Sequence, residues 1–258
     1  MRSEGRVVVV TGGGGGLGAE ICRQFAAEGA LVAVGDIRRR AAQSIAREIQ
    51  DSGAKAIAKS FDIAERDQVE TTADEVETEL GPISVWVNNA GVSHIVPFLE
   101  CTEETWDLTQ RVNLKGTFLG CQAAIRRMVG RRSGVILNMS SQSGKVGASH
   151  YAAYCASKSG IIGLTQSLAL EYARDGIRVN AICPGVVFTP LWEGMVEDYA
   201  RKRNLSPEEV RPYIESKIPL GKLCAPEDVA RVALFLASDE AAYMTGQAIN
   251  VSGGTVMD

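Results

Sequence analysis

Val7-Val8-Val9-Val10-Thr11-Gly12-Gly13-Gly14-Gly15-Gly16-Leu17-Gly18 joins a wholly apolar, β-branched run to a glycine tract and then to a helical pattern. The apolar run predicts a buried strand over Arg6–Val10. Leu17, Ile21 and Phe25, at i, i+4 and i+8, predict a helix over Leu17–Glu28 that Gly29 stops. Glycines placed between strand and helix permit positive φ and let backbone approach a pyrophosphate, while the helix N-terminus offers free N–H groups. The tract fits Gly13-x-Gly15-x-x-Gly18 and equally Thr11-Gly12-x-x-x-Gly16-x-Gly18, so its register stays open. No Gly-Lys-Ser/Thr ends it, which excludes a P-loop.

The same alternation continues downstream. Short β-branched runs predict strands at Leu31–Gly35, Lys55–Ser60, Ser84–Asn88, Gly134–Met139, Ile177–Cys183 and Ala248–Val251. Helical patterns lie between them, including a long one opened by Thr102 with Glu104–Trp106 and running through Met128, and another over Ser157–Tyr172. This βαβ rhythm predicts an α/β fold: one Rossmann-type, doubly wound domain over residues 1–258, with a parallel seven-stranded sheet and helices on both faces. The irregular stretch Pro190–Pro219, with Trp192, Met195, Tyr199, Tyr213 and Ile214 among many charges, predicts a helical flap over a pocket.

Composition narrows the function classes. The 27 basic and 31 acidic residues are spread along the chain and leave a net charge of -4, so no basic stripe invites nucleic acid. No apolar segment approaches the ~18 residues of a membrane span, and Val7–Val10 is too short for a signal-peptide core, which predicts a cytoplasmic protein. The six cysteines form no CxxC pair and only His94 and His150 are present, so no metal site is expected and the thiols read as reduced, small apolar side chains.

Asp36 ends the second strand, 18 residues past Gly18, where a carboxylate accepts hydrogen bonds from both ribose hydroxyls of an adenosine and repels a 2′-phosphate. That favours NAD over NADP. Arg38, Arg39 and Arg40 follow closely enough to receive that phosphate, but read first as solvated charge in the next helix's first turn. Tyr154 and Lys158 stand four apart in a helical segment and so share one face. An ammonium and an oxidised nicotinamide beside a phenol favour the phenolate, which is the base that alcohol oxidation needs.

The chain resembles the short-chain dehydrogenase/reductase family over essentially its whole length. Thr11-Gly-x-x-x-Gly16-x-Gly18, Asn88-Asn89-Ala90-Gly91, Asn113, Ser141, Tyr154-x-x-x-Lys158 and Pro184-Gly185 occur in the family's order, with Ser141 13 residues before Tyr154 and Asn113 28 before Ser141. The resemblance implies that Tyr154 is the general base for oxidation and general acid for reduction. It implies further that Lys158 lowers the Tyr154 pKa and binds the nicotinamide ribose, that Ser141 hydrogen-bonds the substrate oxygen, and that Asn113 anchors a relay water. It assigns the cofactor to Gly12, Gly14, Gly15, Gly16, Leu17 and Gly18; to Asp36 and Ile37; to Asp62 and Ile63; to Asn89, Ala90 and Gly91; to Tyr154 and Lys158; and to Pro184, Gly185, Val187 and Thr189. It also implies a homotetramer, with the helices between the fourth and sixth strands as interfaces.

For the substrate, polar candidates are Ser93 and His94 after the Asn-Asn-Ala-Gly turn, Gln142 and His150 between Ser141 and Tyr154, and Trp192 with Glu193 in the flap. Such groups suit a hydroxylated small molecule, though His94 and His150 read equally as surface residues. The whole sequence, including Ile218-Pro219-Leu220 and Gly246–Gly254, resembles NAD-dependent polyol and sugar-alcohol dehydrogenases of the family. The alternatives are a 3-oxoacyl-[acyl-carrier-protein] reductase and, from another class, a catalytically silent dinucleotide-binding regulator.

Overall fold

The apolar runs become seven strands of one parallel sheet: β1 (Val7–Thr11), β2 (Leu31–Asp36), β3 (Ala56–Ser60), β4 (Ile83–Asn88), β5 (Gly134–Met139), β6 (Ile177–Pro184) and β7 (Ala248–Val251), in the order β3-β2-β1-β4-β5-β6-β7. A computed structural model describes residues 2–258. Strand ends depart from expectation by a residue or so. Arg6 stands just outside β1, its guanidinium engaged with the Ala237 carbonyl and Asp239. Every pairing is parallel, with Val8 opposite Val32 on one side and Val85 on the other.

Both faces are covered. Helices α1 (Gly16–Ala27) and α2 (Arg39–Asp51), with a late helix at Pro226–Ala237, bury Ile21, Phe25, Ile45 and Leu234 against one face. On the other lie α3 (Arg66–Leu80), α4 (Glu103–Thr109), α5 (Gly116–Met128) and α6 (Ala152–Tyr172), with Val76, Leu119, Met128 and Ala169 in its core. Apolar side chains on two opposite faces explain why these strands read as near-continuous hydrophobic runs rather than alternating ones.

The expected helix from Thr102 to Met128 is continuous but not uniform. Thr102 caps it by accepting a hydrogen bond from the Thr105 amide at 3.2 Å, and residues Gln110–Lys115 form a π-helical turn between α4 and α5. Helix α6 begins at Ala152, more than a turn before the expected Ser157. In the interior, Trp86 Nε1 donates to Asn88 Oδ1 (2.8 Å), Asn88 Nδ2 to Asn138 Oδ1 (2.9 Å) and Asn138 Nδ2 to Thr165 Oγ1 (3.0 Å). This satisfied chain of buried polar groups ties β4 to β5 and to α6.

Residues 190–219 form the expected helical excursion: α7 (Pro190–Glu193), α8 (Val196–Arg203) and α9 (Pro207–Lys217), which precede the Pro226–Ala237 helix, α10. They carry a small apolar centre of their own, made by Ala200, Val210, Ile214 and Ile218. At β1 the strand order reverses, β2 lying to one side and β4 to the other. A parallel sheet opens a crevice at the carboxyl ends of its strands at such a point.

Candidate active site

The crevice is a cavity of about 890 Å³. Its floor is the glycine tract, whose register the backbone resolves. Gly12 (φ +66°) and Gly16 (φ +51°) adopt left-handed conformations, and a Cβ at Gly18 would stand 2.2 Å from the Gly12 carbonyl oxygen and 2.5 Å from Asn89 Nδ2. The Thr11-Gly12-x-x-x-Gly16-x-Gly18 reading therefore carries the turn. Gly15, at φ 178°, is extended backbone, and no side chain caps the first turn of α1, which leaves its amides to the cavity.

Thr11 binds the next wall to this floor. Its Oγ1 accepts from the amides of Asn89 (3.0 Å) and Ala90 (3.1 Å), while Asn89 Nδ2 donates to the Thr11 carbonyl at 3.0 Å. Across the cavity, a Cβ at Gly16 would meet Thr189 Cβ at 3.2 Å, so the loop after β6 lies against the glycine tract.

Asp36 is 6% exposed. Its Oδ2 accepts from the Gly14 amide at 3.0 Å and its Oδ1 from the Arg38 amide at 2.9 Å. Arg38, Arg39 and Arg40 are all exposed, Arg38 just before α2 and the other two in its first turn; Arg38 lines the cavity as well, its Nε 3.2 Å from Asp36 Oδ1. Asp62 borders the same end, its Oδ1 accepting from the Ala64 amide at 2.9 Å. Every residue expected to touch the cofactor lines this one cavity. A dinucleotide fits the donors and acceptors present: amides for phosphate, a carboxylate for ribose hydroxyls and a buried Tyr–Lys pair beyond them.

Tyr154, Lys158, Ser141 and Gln142 meet at the far end of the cavity. The Ser143 amide donates to Ser141 Oγ at 3.1 Å, which holds the hydroxyl within reach of the Tyr154 phenol. Lys158 is 4% exposed and donates from Nζ to the Met139 carbonyl at 2.7 Å, with the ammonium 5.6 Å from the Tyr154 ring centroid. Burial pushes the Tyr154 phenol up to about 12, against the Ser141 hydroxyl, which pulls it down; burial likewise pulls Lys158 down to about 8. The Lys158 ammonium is directed at a backbone carbonyl, and loss of water is the largest influence on both groups.

Asn113 stands close to Lys158: a Cβ at Gly91 would lie 3.2 Å from its Oδ1 and 3.6 Å from Lys158 Nζ. It is fully buried and lies outside the cavity lining. Its Nδ2 donates to the Val92 carbonyl (2.9 Å) and to Ser157 Oγ (3.0 Å), and its Oδ1 accepts from the Val92 amide (2.8 Å). Ser157 Oγ in turn donates to the Tyr154 carbonyl at 2.8 Å. With its amide engaged on both ends, the Asn113 side chain ties the turn of α6 bearing Tyr154 to the segment after β4, from its place within the π-helical turn.

Among the substrate candidates, Ser93, Gln142 and Trp192 line the cavity, and Trp192 stacks on Phe188 with centroids 5.3 Å apart. His94 and His150 do not line it. His94 is exposed, and His150 takes a left-handed conformation (φ +65°) in which its carbonyl accepts from the Val96 amide. Glu193 also lies outside the lining. Residues that sequence reasoning did not assign are Tyr151, Lys202 and Arg203, all at the substrate end. The only signal for them was the mixture of charges and aromatics in the flap.

A family model described as enoyl-(acyl carrier protein) reductase matches residues 13–256. The 3-oxoacyl-[acyl-carrier-protein] reductase of Thermotoga maritima is 40% identical over 257 residues, covering 100% of both chains. The chain belongs to the short-chain dehydrogenase/reductase family. As a member it is an oxidoreductase acting on alcohol and ketone groups. Another relative, the sorbitol dehydrogenase of Cereibacter sphaeroides, is 37% identical over 258 residues, again covering 100% of both chains. Among solved structures of the family, a variant of actinorhodin polyketide ketoreductase with NADPH superposes with a TM-score of 0.95 at 35% identity, covering 99% of this chain and 98% of that one.

Proposed function

We propose that this short-chain dehydrogenase/reductase interconverts a secondary alcohol and a ketone on a polyol or sugar alcohol, with NAD as its preferred cofactor. The observation that carries the substrate reading is a pair of orphaned polar atoms. Ser93 Oγ and Gln142 Oε1 are buried without a hydrogen-bond partner, and both residues line the cavity that holds Ser141 and Tyr154. An unpaired buried polar group costs about 1–3 kcal/mol, which rotation of either side chain towards a substrate hydroxyl would recover and an alkyl chain would not. A panel of sugar alcohols and simple secondary alcohols of equal length tests this. Polyols are expected to show kcat/KM at least about tenfold higher, and equal values would remove the support.

When bound, the nicotinamide takes or gives the hydride. The chain's own groups do the rest: Ser141 donates to the substrate oxygen, Tyr154 takes the alcohol proton in oxidation or returns it in reduction, and Asn113 with Ser157 holds Tyr154 in register.

The buried Asp36 carboxylate supports NAD. Replacing Asp36 by Ala is expected to weaken NAD about tenfold to hundredfold, the value of charged hydrogen bonds to ribose, and NADP less. Dissociation constants from cofactor fluorescence check it, and an equal effect on both dinucleotides would overturn the assignment. The competing reading, a 3-oxoacyl-type ketone reductase, draws on the Thermotoga maritima relative. We further propose a homotetramer, supported by exposed Trp106 and Leu108 on α4, Phe118 on α5 and Leu170 on α6; light scattering after gel filtration tests it.

A further inference from the structure

The two ends of the cavity differ in charge. Its carboxylates, Asp36 and Asp62, both stand at the adenosine end. Beyond Tyr154, on the side of the Tyr151 ring, the charged lining residues are Lys202 and Arg203, with no acid among them.

Lys202 and Arg203 lie in the last turn of α8, where cations complement the helix dipole without needing to leave water. Lys202 does leave it in part. Its ammonium sits 4.7 Å from the Tyr151 ring centroid and 5.7 Å from that of Tyr199, and it donates to the Ser149 carbonyl at 2.6 Å. The Arg203 guanidinium carbon lies 5.8 Å from both the Tyr199 and Tyr213 rings. Nearby cations are neutralised, Arg201 by Asp198 at 3.1 Å and Arg211 by Glu215 at 3.1 Å. Among the described residues no carboxylate lies within 4 Å of Lys202 or Arg203. Burial and the adjacent Arg203 charge pull the Lys202 pKa below its ordinary value, as expected of a cation short of a counterion.

Tyr151 connects this charge to the reacting centre. Its ring lies 6.2 Å from the Tyr154 ring, and both line the cavity, so Lys202 is reached from the Tyr154 hydroxyl across one aromatic side chain. A short polyhydroxylated chain with its reacting carbon at Tyr154 would place its far end there.

We propose that Lys202 and Arg203 form an anion subsite, and that the preferred substrate is a hydroxylated molecule ending in a carboxylate or phosphate several bonds from the reacting carbon. This rests on the alcohol–ketone reading of Tyr154 and refines it. The anionic group takes no part in the reaction: the carbinol carbon gives its hydride to the nicotinamide, and the hydroxyl gives its proton to Tyr154.

The test compares glucitol, gluconate and glucitol 6-phosphate, and the matching ketoses in reduction, on the wild-type enzyme with its dinucleotide and on Lys202→Met and Lys202→Arg. At least one anionic substrate is expected to exceed glucitol in kcat/KM by about tenfold or more. The gluconate and phosphate arms tell which anion is read. In Lys202→Met the charged-to-neutral ratio is expected to collapse by a similar factor through KM, and Lys202→Arg is expected to restore most of it. A structural role for Lys202 would lower all substrates alike and leave that ratio unchanged, which would overturn the subsite. So would a wild type that uses glucitol as well as either anion, while the alcohol–ketone reading would stand. If no substrate turned over, thermal stabilisation of the enzyme–dinucleotide complex by gluconate or the phosphate, lost in Lys202→Met, would uphold the subsite and sink the reaction instead. No such stabilisation would sink both.

Discussion

Replacing Tyr154 by Phe is expected to lower turnover by about 10²–10⁴ while dinucleotide affinity stays nearly unchanged, because the substitution deletes one hydroxyl from a side chain whose ring packing is retained. Steady-state rates with cofactor fluorescence titration check it, and comparable activity in the variant would defeat the proton-transfer assignment. The pH dependence follows from the same group. With the phenol pushed up to about 12, it stays protonated through the neutral range. Reduction, which needs the acid form, is therefore expected to hold flat there, and oxidation, which needs the phenolate, to climb with pH. The Phe variant is expected to lose that climb.

Gly18→Ala is expected to damage both the fold and the cofactor site. Its Cβ would fall 2.2 Å from the Gly12 carbonyl oxygen, a backbone atom at the base of the cradle, so the turn itself must shift. Overpacking of this kind costs about 1–3 kcal/mol, and the same displacement misplaces the amides that face the phosphates, weakening the dinucleotide by about tenfold to hundredfold. Gly15→Ala provides the contrast in stability. Its Cβ would meet only Arg38 Nη2, at 3.4 Å, on extended backbone, so its melting temperature is expected to stay close to that of the parent. Thermal unfolding and dinucleotide titration of the two variants separate the cases, and equal melting temperatures would contradict the crowding at Gly18.

The sheet was legible because strands buried on both faces are continuous apolar runs, and glycine or charge breaks each of them. The cofactor side of the site was legible for a related reason: residues at strand ends have positions dictated by topology, so Asp36, Asn89 and Pro184 could be placed without knowing any side-chain direction. Helical features were less so. Periodicity does not mark where one extra residue widens a turn, so the π-helical stretch at Gln110–Lys115 and the engagement of Asn113 with Val92 and Ser157 were invisible. Nor did an N-cap side chain announce the start of α6, since Tyr151 offers no acceptor there. His94 and His150 read equally as pocket or surface residues because a loop residue can face either way, and the left-handed backbone at His150 is not written in its neighbours. Lys202 and Arg203 escaped notice because a charged last turn on a surface helix ordinarily faces water.

The small apolar centre formed by Ala200, Val210, Ile214 and Ile218 has a bearing on how this enzyme can diversify. Because residues 190–219 are held together by contacts that belong to neither face of the sheet, their outward chemistry can be rewritten while the dinucleotide platform keeps its shape. Grafting that segment from one relative to another is then a way to exchange what the enzyme acts upon, with the redox partner and the proton relay carried over intact.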